Sequence, residues 1–208
     1  MLAAELLRQG LLEGVSVLVA GTTEPVAPLG AAVDEACTEL GARVHMCASD
    51  VADEAVVDEI VSAAVLETGG LNMLVLDGAG LFAHALTYGG TSHVALRACL
   101  DATWNVTRAV VNLAFLPAER SSPTRRIVYL APGGRDRFGQ YADAARAGLE
   151  NLGRTLSIEW ARHGITVVTI APGEATTAGE VAALCAYLAS PAGAYFSGCL
   201  LDLRGVER

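Results

Sequence analysis

The feature that most constrains the fold of this chain is a repeated alternation of short valine-rich runs with longer segments of helical periodicity. The first apolar run spans residues 15–20, stops at Gly21 and is followed by a helical pattern at 29–40. The later runs predict strands at 43–48, 72–76, 126–130, 164–170 and 198–203, and helices at 53–66, 92–116, 141–162 and 178–189. Such alternation indicates right-handed βαβ crossovers. The predicted fold class is therefore α/β, with a doubly wound parallel sheet.

Size and charge limit the number of domains and the classes of partner that the chain can bind. A chain of 208 residues with 52% hydrophobic content can bury one substantial core, so residues 1–208 are predicted to form a single domain. The formal net charge is -9, and all 14 basic residues are arginine because the sequence contains no lysine. An acidic surface with scattered arginines repels phosphate backbones and anionic lipids. We therefore expect neither a nucleic acid nor a membrane as a partner.

The cysteines and histidines indicate a reduced protein without a metal site. The five cysteines form no CxxC pair and each has an apolar context, which is typical of buried thiols in a reducing cytoplasm. The N-terminal residues lack the pattern of a signal peptide, and no apolar stretch is long enough to span a bilayer. The four histidines have no ligand spacing. A cytoplasmic location and no metal are expected.

Short motifs follow the predicted strands and begin the predicted helices in a fixed order. In chain order they are Gly21 after the first strand, Asp77-Gly-Ala-Gly80, Arg146-Ala-Gly-Leu-Glu150, Ala171-Pro-Gly173 and Ser197-Gly198. Their joint order and spacing resemble the short-chain dehydrogenase/reductase family along nearly the whole chain, in particular a degenerate relative of the 3-oxoacyl-ACP reductases. The resemblance implies a Rossmann-like sheet that binds NAD or NADP and a catalytic Asn-Ser-Tyr-Lys set.

The four positions of that catalytic set are all changed in this sequence. Aligning the third motif with the family's Lys-Ala-Ala-Leu places Arg146 at the lysine and Ala142 at the tyrosine. The serine position falls on Pro132 or Ala131, and the asparagine position falls on Cys99. Arginine keeps the charge, but its high pKa and forked shape make it a poor substitute for lysine. The resemblance therefore predicts that no catalytic set remains.

Two tyrosines and two serines are the alternatives from which a rearranged site would have to be built. Tyr141 precedes Arg146 by five residues, which turns the two side chains about 100° further apart around a helix than the family's four-residue spacing. Tyr129 lies within a predicted strand. The serines available for recruitment are Ser121 and Ser122.

The segment expected to hold the cofactor phosphates is also altered. The family's glycine loop presents backbone amides to the pyrophosphate at a helix N-terminus. Here Gly21 and Gly30 are retained, but Pro28 takes the middle glycine position, and the added stretch contains Glu24 and Pro25. Proline offers no amide hydrogen and a carboxylate opposes a phosphate, so binding of NAD(P) is predicted to be weak or lost. The structural alternative is a lengthened turn with Pro28 near the helix start.

Two further parts of the family pattern are shortened. Asp50 follows the predicted strand 43–48 at once, so about one strand-helix unit is missing, and with it the ribose-selecting position. The resemblance places Asp50 near adenine, and a role in a turn or in capping the next helix is the alternative. It places Thr177 against nicotinamide, but helix 178–189 follows directly and leaves out the substrate lid. The vestigial cofactor positions are thus Gly21, Gly30, Asp50 and Thr177.

By contrast, the segments that form subunit contacts in the family are present. They are helices 92–116 and 141–162 and the C-terminal strand with its 201–204 tail. The small and apolar residues predicted to permit close helix packing are Ala144, Ala145, Gly148, Leu149 and Leu156. Ordinary packing on the sheet is the alternative role for these residues.

Three functions fit these observations. The first is a non-catalytic subunit that associates with an active paralogue of the family in a hetero-oligomer, or with itself, because the interfaces are retained and the chemistry is not. The second is an active NAD(P)-dependent oxidoreductase with a rearranged site. The third is a binding or regulatory protein that uses the old cleft for another small ligand. The sequence favours the first.

Overall fold

A computed structural model of the chain describes residues 10–21, 28–47, 51–88, 90–118, 125–133 and 139–203. The strands are β1 (Ser16–Ala20), β2 (Arg43–Cys47), β3 (Met73–Asp77), β4 (Arg125–Leu130), β5 (Ile165–Ala171) and β6 (Cys199–Asp202). The helices are α1 (Pro28–Glu39), α2 (Glu54–Thr68), α3 (Gly78–Thr87), α4 (Ser92–Val110), α5 (Gly139–Glu159) and α6 (Ala178–Ala189). The residues discussed above that lie outside the described ranges are Glu24, Pro25, Asp50, Ser121, Ser122 and Arg204.

The six strands form one parallel sheet in the order β2-β1-β3-β4-β5-β6. This confirms the predicted α/β class and the doubly wound, Rossmann-like sheet. The chain changes direction across the sheet between β1 and β3, because β2 lies on one side of β1 and every later strand lies on the other. In doubly wound sheets this switch point opens a crevice at the carboxyl ends of the strands, where ligands bind.

The edge of the sheet at β2 is where the chain is shortened. Only residues 48–50 separate Cys47, the last residue of β2, from Val51, and three residues cannot hold a strand and a helix. The next helix, α2, is capped by Asp53, whose Oδ1 accepts a hydrogen bond of 2.8 Å from the amide of Ala55. The chain therefore passes from β2 directly into α2, which confirms the predicted loss of one strand-helix unit.

Burial on both faces of the sheet explains the valine-rich runs. Strands β1, β3 and β4 are buried along their whole length, as parallel strands covered by helices usually are. Successive side chains point to opposite faces, so Leu18 and Leu74 pack beneath α2, α4 and α5. Val17 and Met73 pack beneath α1 and α6. Packing against helices on both faces thus fixes the positions of the strand ends that border the crevice.

Helix α3 is a correction, because the sequence pattern predicts a strand at 72–76 that stops at the motif 77–80 and no helix between it and residue 92. Asp77 caps this helix and accepts a hydrogen bond of 2.8 Å from the amide of Gly80. Leu81 and Phe82 are buried against the core. The helical signal is hidden by the two glycines of its first turn, because glycine has a low helix propensity. His84 lies in α3, with its ring centroid 4.4 Å from that of Tyr88.

The predicted helix at 92–116 also ends differently. Its regular part, α4, stops at Val110 and continues as a π-helical turn, Val111–Phe115. The turn is closed by a hydrogen bond of 2.8 Å from the amide of Leu116 to the carbonyl of Val111. The wider turn buries Ala114 and Phe115 while Leu116 stays exposed.

A loop of six residues joins β5 to α6, where the family would carry a substrate lid. The amide of Gly173 donates a hydrogen bond of 2.8 Å to Oγ1 of Thr176. That hydroxyl lies 3.4 Å from the carbonyl oxygen of Leu203, beyond β6. Residues 172–177 are therefore a closed turn, and the prediction that the lid is missing here is confirmed. Among the described helices, none has the length and apolar character needed to cross a membrane.

Candidate functional site

The candidate site is the switch-point crevice, bordered by the carboxyl ends of β1 and β3. Gly21 directly follows β1, and Asp77 is the last residue of β3. The two residues lie close together, because a Cβ placed on Gly21 would be 3.3 Å from the Cβ of Asp77. Gly30, the second retained glycine, is buried near the start of α1, and Pro28 is the first residue of that helix. Pro28 therefore begins the helix, as predicted by the alternative in which this segment is a lengthened turn that leads into a helix.

Asp77 is a buried carboxyl group at this switch point. Only 4% of its surface is exposed, and burial raises its pKa above the ordinary value of 3.8, although hydrogen bonds from the amides of Gly80 and Ala79 act in the opposite direction. Among the described residues no arginine or histidine forms an ion pair with it. Asp77 belongs to one of the motifs that carry the family resemblance, but no role is predicted for it from the sequence, although an aspartate at the end of an apolar strand is a visible signal.

The Asp77→Asn variant should be more stable than the wild type at neutral and higher pH. An acid whose folded-state pKa is raised binds its proton more tightly when folded, so stability falls as the pH rises from the unfolded-state pKa of 3.8 towards the folded-state value. Asparagine keeps the helix cap and has no such proton to lose. The gain in unfolding free energy, measured in urea, should be larger at about pH 8 than at about pH 4. The exposed Glu35→Gln substitution on α1 is the control, and an equal pH dependence in both variants would contradict the expectation.

The positions of the family's catalytic residues lie in close-packed core. Cys99, Ala131 and Ala142 are completely or almost completely buried, and Pro132 is buried as well. The thiol of Cys99 donates a hydrogen bond of 3.3 Å to the carbonyl oxygen of Gly78. Burial, with the nearby charge of Asp77, raises the pKa of this thiol to about 12, so it is not a nucleophilic thiolate at neutral pH.

Gly78 shows how tightly this region is filled. A Cβ placed on Gly78 would lie 2.8 Å from Cδ1 of Leu149 and 2.9 Å from the carbonyl oxygen of Leu130. Real side chains do not approach backbone oxygens so closely. The described residues therefore leave no room for a reacting group beside Cys99.

Arg146, at the family's lysine position, is bound to a carboxylate of its own helix. Its Nη2 lies 3.2 Å from Oδ1 of Asp143, and 19% of the side chain is exposed. Its Nε is buried without a hydrogen-bond partner among the described residues. The residue four positions earlier is Ala142, so the arginine has no phenol on its helix face to activate.

The two alternative tyrosines pack into the protein. Tyr129 is completely buried, with its hydroxyl 3.0 Å from that of Thr107, and burial raises its pKa. Tyr141 is half-buried and packs against the hydrophobic core beneath α5. Tyr129 is therefore closed to a substrate.

Thr177, the retained nicotinamide position, caps α6. Its hydroxyl accepts a hydrogen bond of 3.2 Å from the amide of Glu180, and the carboxylate of Glu180 accepts one of 2.8 Å from the amide of Thr177. This reciprocal capping box engages both groups of the residue. Its hydroxyl also lies 3.0 Å from the same carboxylate.

The second surface of interest is the outer side of helices α4 and α5. The two helices pack side by side, and a Cβ placed on Gly148 would lie 2.9 Å from Cδ2 of Leu100. Ala145, Leu149 and Leu156 are buried in the core, which is the alternative role of ordinary packing on the sheet. Helical periodicity identifies such an apolar stripe but does not say what the stripe packs against.

Six uncharged residues of this helix pair are exposed to solvent. We name them together the helix-pair face; its members are Trp104, Ala144, Ala147, Asn151, Thr155 and Ile158. Ile158 is 75% exposed and Trp104 is 44% exposed. The charges nearby are paired within the helices, since Arg97 lies 3.3 Å from Asp101 and Arg154 lies 2.8 Å from Glu150. The face therefore combines large apolar, small and uncharged polar residues, and the charged residues named beside it are paired with one another.

Known proteins share this architecture. A citronellol catabolism dehydrogenase (AtuB) of Pseudomonas aeruginosa superposes with a TM-score of 0.75 at 25% identity, over 96% of this chain and 97% of that protein. A short chain dehydrogenase from Mycobacterium smegmatis superposes with a TM-score of 0.77 at 25% identity, over 96% of this chain and 95% of that protein. The oxidoreductase UcpA of Salmonella typhimurium is 28% identical over 182 residues, covering 81% of this chain.

The match to UcpA spans 66% of that protein's own length, so the chain corresponds to just under two thirds of this curated relative. The sequence pattern of the short chain dehydrogenase family matches residues 2–184. The matched region contains all the elements from β1 to the middle of α6, including both sides of the switch point. This chain therefore belongs to the short-chain dehydrogenase family and has its oxidoreductase fold.

Proposed function

We propose that this chain is a non-catalytic member of the short-chain dehydrogenase family that associates with an active paralogue in a hetero-oligomer. The observation that carries the proposal is the contrast between the catalytic positions and the helix-pair face. The family's catalytic positions hold buried Cys99 and Ala142, together with an ion-paired Arg146. The helix-pair face is exposed, carries no charged member and includes the large apolar residues Trp104 and Ile158.

The chemistry of hydride transfer supports the loss of activity. The family's reaction needs an accessible acid or base beside the substrate oxygen. The sequence contains no lysine to lower the pKa of a tyrosine, and Tyr129 is completely buried. The closed loop at 172–177 offers no lid that would exclude water from the reaction. Among the described residues, the family's catalytic positions therefore carry no acid or base in place of its tyrosine.

The crevice supports weak or absent binding of NAD(P). Proline at the first position of α1 has no amide hydrogen for a phosphate. Thr177 is engaged in its capping box, and Asp77 adds a carboxyl group at the switch point. These residues do not fit a dinucleotide.

The helix-pair face supports association. Exposed large apolar side chains next to small residues allow two helix surfaces to approach closely. Trp104 and Ile158 are the large members, and Ala144 and Ala147 are small members of the same face. All five cysteines are unpaired, which suits the reducing cytoplasm in which we propose the complex forms.

Co-expression with a full-length short-chain dehydrogenase encoded nearby in the genome tests the proposal. The two chains should purify together as a mixed oligomer of fixed stoichiometry, measured by light scattering after gel filtration. The activity should reside in the partner, so replacing the partner's catalytic tyrosine by phenylalanine should remove it from the complex. A chain that remains a monomer or a pure homodimer beside every such partner would refute the proposal.

A further inference from the structure

We infer that Asp77 is a specificity-determining residue of the switch-point crevice, and that its fixed carboxylate rejects the pyrophosphate of a dinucleotide. The inference rests on the proposal that dinucleotide binding is weak or lost, and it assigns a cause to that loss. The cause lies in the described part of the chain and is separate from the altered glycine loop.

The position of Asp77 makes such a role possible. In doubly wound folds the pyrophosphate lies between the end of the first strand and the start of the first helix. Here that strand end is Gly21, and a Cβ on Gly21 would be 3.3 Å from the Cβ of Asp77. The side chain of Asp77 therefore begins next to Gly21, whose backbone a pyrophosphate would approach.

The carboxyl group is also held in place. Oδ1 accepts a hydrogen bond of 2.8 Å from the amide of Gly80. Oδ2 lies so near the same residue that a Cβ on Gly80 would be 2.6 Å from it. Only glycine at position 80 leaves room for this arrangement. Because the carboxyl group of Asp77 accepts the hydrogen bond from the amide of Gly80 in the first turn of α3, it occupies the place at this helix end where another anion could bind.

When Asp77 is ionised, its charge has no compensating cation among the described residues. The described ion pairs join His45 to Glu67, Arg97 to Asp101, Arg108 to Glu54 and Asp58, Arg146 to Asp143, and Arg154 to Glu150, and none of them includes Asp77. Repulsion between two negative charges is much stronger at a buried site than in water. A diphosphate placed nearby should therefore bind at least about tenfold more weakly than it would beside a neutral side chain.

Calorimetric titration of the full chain with NADPH, and separately with inorganic pyrophosphate, tests the inference. The informative variants are Asp77→Asn and Asp77→Ser, because both residues are good helix caps and neither carries a charge. Two variants are used so that the result does not depend on the folding of one. Glu35→Gln removes an equal charge from an exposed position on α1 and serves as the matched control.

Both neutral variants should bind NADPH at least about tenfold more tightly than the wild type, and Glu35→Gln should bind like the wild type. Equal affinity in the wild type and the neutral variants would overturn the inference, as would micromolar binding of NADPH by the wild type. Recovery of the mixed oligomer is measured on the same preparations. If the mixed oligomer forms but the wild type and the neutral variants bind NADPH with equal affinity, the role of Asp77 is refuted. The proposed subunit function is not refuted by that result.

Discussion

The Ile158→Glu and Trp104→Glu variants should no longer purify with the partner subunit. Each substitution places a carboxylate on the helix-pair face, where association would remove it from water while the neighbouring Arg108 and Arg154 are already ion-paired. We expect each variant to weaken the mixed oligomer at least about a hundredfold, because a few large side chains contribute most of the binding energy of an interface. The dissociation constant is measured by calorimetry or by sedimentation of the purified subunits.

The same variants should leave the isolated chain intact, since changes at exposed positions usually alter the unfolding free energy by less than about 0.5 kcal/mol. The matched control is Leu66→Glu on α2, where an apolar residue that is 85% exposed lies outside the helix-pair face. It should assemble like the wild type. If Leu66→Glu and Ile158→Glu weaken the complex equally, the helix-pair face is not the interface.

Replacing one buried glycine should have the second large effect. Gly193 lies in the 3-10 turn Pro191–Tyr195, and a Cβ there would be 2.5 Å from the Cα of Leu188 and 2.6 Å from Nη1 of Arg126. That guanidinium donates a hydrogen bond of 2.7 Å to the carbonyl oxygen of Ser190, at the end of α6. The Gly193→Ala variant should therefore lose about 3 kcal/mol of unfolding free energy in urea, because the backbone must shift and the bond is disturbed.

Gly179→Ala is the control for this change. Gly179 lies near the start of α6, and nothing stands within 4 Å of the position its Cβ would take. The substitution should stabilise the protein by about 0.5 kcal/mol, because alanine restricts the unfolded chain and favours a helix. Opposite signs for the two substitutions are expected, and destabilisation of similar size in both would show that the contacts around Gly193 are not the cause.

Hydrophobic periodicity was sufficient to predict all six strands and most helices. The pattern works where burial is on both faces, as at β3 and β4, since continuous apolar runs are then required. It fails for α3, whose first turn contains Gly78 and Gly80. Those glycines are needed there for contacts with Leu149 and Asp77, and long-range packing of this kind is not encoded in local propensity.

The candidate site was predictable in part. Alignment of the motifs located Cys99, Ala142 and Arg146 at the altered positions, but it could not show that the first two are closed off by close packing. The helical stripe containing Ala145 and Leu149 was recognised, yet both residues belong to the core. Periodicity specifies that residues share a side of a helix, while the neighbouring element decides which side meets solvent.

The position of β2 at the rim of the sheet has a consequence for how this family changes in length. Each outer strand contacts only one neighbour, so removing a terminal strand together with its helix leaves the hydrogen-bond ladder of β1 with β3 in register. A deletion at this edge of the sheet therefore does not require the central strands to form a new core. The outermost strand-helix unit is thus the part of the sheet whose loss least affects the strands that border the crevice.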